Sequence, residues 1–188
     1  EQYMSDEDLI TLATELEGHP DNVAAAFYGG ATIAWLESKI NSEGESSNVG
    51  RAVSLKVDDR IKALLLVPEN QLSTAKARKL LPESISHQDA VLNSSRTALL
   101  VHALAERPDL LFTATEDLLH QKYREEAMPK SIALVEKLRG AGLAAVVSGA
   151  GPSVMVLYSG AEDEIDQIQS VSPGFAAMKL AIAKTGVQ

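Results

Sequence analysis

The chain has 188 residues, 45% hydrophobic and 23% charged, enough for one packed domain or one domain and part of another. A net charge of −9 and only 4% aromatics argue against nucleic acid, an anionic membrane and a base-stacking platform, although a local pocket can still take a small anion. The absence of cysteine excludes disulfides and thiolate metal sites, and no apolar run approaches the ~20 residues of a membrane span.

No signal-peptide pattern opens the chain, so a cytoplasmic protein is the expectation. Position 1 is not methionine and a helix follows almost at once, as in a chain cut from a longer one. Ser5 to Glu17 predicts that helix. Ser5 can cap it, Asp6, Glu7 and Asp8 suit the positive end of its dipole, and Leu9, Leu12, Ala13 and Leu16 form one apolar face. Gly18 can end it, and Pro20 can open a second helix that runs to Tyr28 and stops at Gly29-Gly30. Ala31 to Leu36 is a short strand candidate, Lys39 to Asn48 reads as a polar loop, and Ala52 to Val57 alternates as a half-buried strand does. Trp35 is expected in the core.

Asp58-Asp59-Arg60 is a turn and the expected domain boundary. Ile61 to Val67 is almost continuously apolar, as in a strand buried on both faces. Ser73 to Leu81 predicts a short helix ended by Pro82. Gln88 to Arg107 predicts a long one stopped before Pro108, with His102 packed inside. Thr113-Ala114-Thr115-Glu116 matches a capping box for a helix reaching Ala127. Pro129 starts another, with Ile132, Val135 and Leu138 on one face and Gly140 at its end. Leu143 to Val147 and Val154 to Tyr158 form a hairpin around Ser148-Gly149-Ala150-Gly151-Pro152-Ser153. Ala161 to Ser170 is an acidic helix with Ile165 and Ile168 inward, and Ala177 to Thr185 is a last strand with Met178, Leu180 and Ile182 on one face. From Ile61 the order is strand, helices, strand, strand, helix, strand. The fold class expected is therefore α+β, a ferredoxin-like split β-α-β domain with extra helices in its first crossover. The two helices and two short strands before it cannot close a core alone.

Several constellations could carry chemistry. Glu17-Gly18-His19-Pro20-Asp21-Asn22 sets a carboxylate, an imidazole and a carboxamide around a helix start, where free N–H groups favour anions. Glu17 could ligate Mg²⁺ and His19 and Asn22 could bind a polar substrate, or Asp21 and Asn22 could merely cap helix ends. Ser73-Thr74-Ala75-Lys76-Ala77-Arg78 puts a hydroxyl (Thr74) and a guanidinium (Arg78) four apart on one helix face, suited to gripping a carboxylate or equally to a surface. Gln121-Lys122-Tyr123-Arg124 offers a second guanidinium. The hairpin tip carries no charge. It can be a tight turn packed under another loop, or a support for a phosphate site. His87, His102 and His120 have no partner recognisable from spacing.

Taken together, Glu17 to Ala24, Leu72 to Arg78, Tyr123-Arg124 with Pro129 after it, and Ser148 to Ser153 resemble the GHMP small-molecule kinases, and within that superfamily the homoserine kinase family. The resemblance runs from about Leu9 to the end, in the family's order. It implies ATP and Mg²⁺ as cofactors, L-homoserine as the small-molecule substrate and O-phospho-L-homoserine as the product, a step of threonine biosynthesis. It leaves room for a homodimer. It implies that Glu17 is the metal ligand, with Glu15 as its alternative, and that His19, Asn22, Thr74, Arg78 and Arg124 bind substrate. Ser148, Gly149 and Gly151 would support the phosphate loop, and no catalytic residue is implied. The family's Gly-Leu-Gly-Ser-Ser-like phosphate loop is not in the sequence. The expectation is thus a partial N-terminal domain over 1–59, a complete C-terminal domain over 60–188, and no activity from these residues alone. The alternatives are another GHMP member, acting on mevalonate or a sugar, and a non-catalytic amino-acid-binding or dimerisation domain.

Overall fold

Ser5 starts the first helix as its hydroxyl predicts. The computed structural model describes residues 4–40, 44, 46–70, 72, 73, 77, 79–160, 168 and 172–187. In it α1 spans Asp6–Glu17, and Ser5 Oγ accepts the Asp8 N–H at 3.2 Å while the Asp8 carboxylate accepts the Ser5 N–H at 3.3 Å. This is a capping box with Asp in place of Glu. Gly18 ends α1 in the left-handed conformation, and α2 (Pro20–Tyr28) follows with Pro20 in its first turn. The chain divides into two compact units, residues 1–57 with 182–188, and residues 58–181.

In the first unit β1 (Ala31–Ile40) and β2 (Ser46–Leu55) pair antiparallel, with Ile40 opposite Ser46. Of the stretch expected as a loop, residues 39, 40 and 46–48 are strand, and 41–43 and 45 lie outside the described residues. Polar side chains pair across this ladder, Ser38 Oγ donating to Asn48 Oδ1 at 3.0 Å and Arg51 Nε to Glu37 at 2.9 Å. The face of α1 that is buried is Ile10 and Thr14, whereas Leu9, Leu12 and Leu16 are exposed. The sheet selects that face: Gly50 of β2 lies so close to Thr14 that a methyl group there would overlap its hydroxyl. Trp35, expected in the core, is 43% exposed. The chain end returns to this unit, with the Gly30 N–H bonded to Ala183 O at 2.7 Å and the Val187 N–H to Ala26 O at 3.0 Å.

In the second unit β3 is Lys62–Pro68, α3 is His87–Ala105, and a 3₁₀ turn (Pro108–Leu110) leads to a single helical turn, α4 (Leu111–Ala114). A 3₁₀ helix (Lys122–Ala127), α5 (Pro129–Gly140), β4 (Ala144–Val147), β5 (Val154–Tyr158) and β6 (Phe175–Leu180) follow. The described strands form a four-stranded sheet in the order β4-β5-β3-β6, and each neighbouring pair is antiparallel. That order is the one a split β-α-β-β-α-β chain produces, with its first strand central. Leu64 and Leu66 of β3 are fully buried against Leu134, Val135 and Leu138 of α5 and against Val154 and Val156 of β5. On the other face Ala63 is buried, and Leu65 and Val67 are half-buried. In β6 it is Phe175 and Ala177 that pack on the core, while Met178 and Leu180 are exposed. Ile168 joins the same core; the rest of the expected acidic helix lies outside the described residues.

The helix expected from Thr113 to Ala127 does not form. The Glu116 N–H bonds to the Thr113 carbonyl at 3.3 Å, and the Glu116 carboxylate pairs with Arg96 at 2.6 Å. The chain then turns at Asp117, whose carboxylate accepts the N–H groups of Leu119, His120 and Gln121 at 3.1, 3.0 and 2.6 Å. His120, for which spacing suggested no partner, places Nδ1 3.0 Å from the same carboxylate. His102, expected in the core, lies on the exposed side of α3, 3.8 Å from Glu106.

Candidate functional site

The hairpin tip between β4 and β5 is closed by its own backbone. The Ser148 N–H bonds to Ser153 O at 2.8 Å and the Gly151 N–H to Ser148 O at 3.0 Å. Gly149 (φ 58°) and Gly151 (φ 87°) both occupy the left-handed region that side chains rarely adopt. Their surroundings differ. A Cβ on Gly149 would meet open space, whereas one on Gly151 would lie 2.6 Å from Sδ of Met128. One glycine therefore keeps the backbone accessible, and the other admits a methionine. Within the turn only Gly149 is exposed, and Ser148, Ala150, Gly151, Pro152 and Ser153 are half-buried.

The cover comes from the segment that begins at the Asp117 turn. Arg124, expected at the site, is 7% exposed, and its Nη1 donates to Gly149 O at 3.1 Å. Two sequence motifs 25 residues apart thus meet in one hydrogen bond. The neighbours of Arg124 do not join it: Lys122 Nζ lies 5.0 Å over the Tyr123 ring and 3.6 Å from Asp89. Gln121, Met128 and Ser131, which sequence reasoning passed over as site residues, do. Gln121 Oε1 accepts the Val147 N–H at 2.7 Å, and Ser131 Oγ donates to Pro152 O at 2.5 Å. The signal available in the sequence was the helical spacing of 121, 124, 128 and 131. Met128, Ser131 and Pro152 also line a half-open cavity of about 150 Å³ with Pro68, Asn70 and Lys130 around it.

The other expected residues fall elsewhere. Glu17, His19 and Asn22 belong to the first unit, where all three are exposed at the α1–α2 junction. His19 is the residue before α2 in extended conformation, and its side chain makes no capping bond. Its imidazole is therefore not spent on the helix start. Among the described residues no three His, Asp or Glu side chains gather as a metal-ligand group. A lone glutamate still suits Mg²⁺, which commonly takes one or two carboxylates and completes its shell from phosphates and water. Thr74 and Arg78 lie outside the described residues.

Residues 95–172, which include the clamping segment and the turn, match the family model for the C-terminal region of GHMP kinases. Similarity extends beyond residues 95–172. The chain is 46% identical over 187 residues to the homoserine kinase of Streptomyces coelicolor, covering 99% of this chain and 57% of that protein. It is 54% identical over 151 residues to the homoserine kinase of Clavibacter michiganensis, covering 80% of this chain and 45% of that protein. The chain thus spans about half the length of the curated relatives it matches. In fold it resembles the crystal structure of homoserine kinase from Cytophaga hutchinsonii, with a TM-score of 0.73 at 24% identity over 97% of this chain and 60% of that one.

Proposed function

We propose that this chain is part of an ATP-dependent homoserine kinase. One contact supports the reading above the others: the buried Arg124 guanidinium on the Gly149 carbonyl at the exposed point of the turn. A guanidinium in this place supplies fixed positive charge beside an accessible glycine backbone. That suits an anionic substrate in an acidic protein. The relatives of matching sequence are homoserine kinases.

On this reading Arg124 and Arg78 bind the homoserine carboxylate, Thr74, His19 and Asn22 are further substrate-binding residues, and Ser148, Gly149 and Gly151 support the phosphate loop. Glu17 holds Mg²⁺, which neutralises phosphate charge when bound. The γ-phosphoryl group leaves the β–γ bridging oxygen of ATP and joins the side-chain oxygen of L-homoserine. The hydroxyl proton is released and ADP departs. Such a transfer depends on alignment and charge neutralisation more than on a strong base, so no catalytic base is assigned. The ferredoxin-like C-terminal domain begins near residue 60, and residues 1–59 belong with an N-terminal domain, to whose unit residues 182–188 return. The protein acts in the cytoplasm on a small molecule and admits a homodimer.

The test is a substrate panel with a protein of the relatives' length that contains this chain. ADP release should require homoserine and Mg²⁺ and give O-phosphohomoserine by ³¹P NMR. Turnover of mevalonate or a sugar in preference to homoserine would overturn the assignment. Robust turnover by the 188-residue chain alone would overturn the expectation that it is inactive.

A further inference from the structure

The turn is held by side chains arranged as a ladder. Gln121, Arg124, Met128 and Ser131 follow one another at spacings of three, four and three, and they meet Val147, Gly149, Gly151 and Pro152 in the same order. Each rung acts differently. Gln121 satisfies the last amide of β4, Arg124 holds the carbonyl at the tip, Met128 fills the space left by Gly151, and Ser131 satisfies the carbonyl of Pro152. Only Arg124 was expected at the site. The other three touch the turn from its covered side, while Gly149 is left open on the other.

We propose that Gln121, Met128 and Ser131 are positioning residues, which act on phosphoryl transfer by fixing the shape of the glycine-rich turn. A turn with glycines at positive φ has many backbone alternatives when unrestrained. The ladder removes them before substrate arrives, so the exposed Gly149 backbone and the Arg124 guanidinium are already in place. The inference rests on the kinase reading above. It adds that the turn's geometry is written in the segment from Gln121 to Ser131 rather than in the turn itself.

The test uses Ser131→Ala and Gln121→Met in the relatives'-length protein, with Ser131→Thr as the conservative control. Well below the melting temperature, Ser131→Ala and Gln121→Met should each lower kcat/KM for homoserine about tenfold, the scale of one lost buried hydrogen bond, while Ser131→Thr stays close to the parent. Both variants keeping kcat and both KM values within about twofold while melting earlier would show a merely structural role and overturn the proposal. If Ser131→Ala does not fold, Gln121→Met decides alone, since its side chain is only half-buried. A second readout is independent of substrate. In the 188-residue chain, Gln121→Met should speed amide exchange at Val147 and Gly151 and leave Ala145 unchanged; equal rates in parent and variant would overturn the ladder. Failure of the parent to phosphorylate homoserine would sink the kinase reading, and the exchange comparison would still decide whether the ladder shapes the turn.

Discussion

Asp117 directs the clamping segment, so removing its charge should be felt both in stability and at the turn. Its side chain is 19% exposed. Burial pushes its carboxyl up, but the bonds from His120 and from the amides of Gln121 and Leu119 outweigh this and hold it at about 2. Against an ordinary value of 3.8, that is a difference of nearly two pK units. At ~1.4 kcal/mol per unit the upper bound is roughly 2.5 kcal/mol, and solvent screening of a partly exposed group lowers it to about 1–1.5 kcal/mol. Asp117→Asn keeps the shape but turns an NH₂ group towards amide donors whichever way it is flipped. Urea unfolding should therefore show the variant less stable by about 1–1.5 kcal/mol at pH 7. The sign of the pH dependence follows from the depressed folded value. The contribution is fully present above the unfolded pKa near 4 and is lost as pH falls towards about 2. The gap between parent and variant should thus hold from pH 7 to about 5 and narrow towards pH 3. A gap that stays constant down to pH 3, or one below about 0.3 kcal/mol at pH 7, would refute the reasoning.

Other perturbations separate the parts of the site. Gly149→Ala should cost about 1–2 kcal/mol for its positive φ alone, and Gly151→Ala more, because Met128 must also move; equal losses in urea melts would mean that Met128 does not confine the turn. Arg139 lies 4.6 Å from the Phe112 ring centre and donates to Phe112 O at 2.8 Å and Thr115 Oγ1 at 3.0 Å. Arg139→Lys loses the two-nitrogen fork that spans these acceptors and the flat contact with Phe112, and should cost about 1–2 kcal/mol in thermal melts, with an unchanged Tm counting against it. Arg78→Ala should chiefly raise KM for homoserine in the relatives'-length protein, and an unchanged KM would remove Arg78 from the pocket.

Much of the architecture was legible because its causes are local. The Ser5 hydroxyl and Asp8 carboxylate start α1 within one turn, the glycines after Tyr28 stop α2, and the apolar run from Ile61 has no alternative to a central strand. The order of those elements then admits few sheets, and the ferredoxin-like one is found. The Thr113–Glu116 pattern misled for the opposite reason. A capping box competes with other partners, and here Arg96 takes Glu116 while the Asp117 carboxylate gathers the amides of Leu119, His120 and Gln121 into a turn. The polar residues from Lys39 to Asn48 misled because pairing across a ladder is invisible in a single strand.

The sequence by itself determined which residues could serve a phosphate site: an uncharged turn with two glycines, and an arginine in a motif of its own. Only the tertiary structure decided how they are used. It placed Arg124 on Gly149, brought in Gln121, Met128 and Ser131, and gave the two glycines different tasks. It also chose Ile10 and Thr14 rather than the leucines as the buried face of α1. The physical reason is the same each time. A cap or an apolar run is fixed by neighbours along the chain, whereas a hydrogen bond across 25 residues, or a missing Cβ that admits another side chain, exists only once the layers have packed.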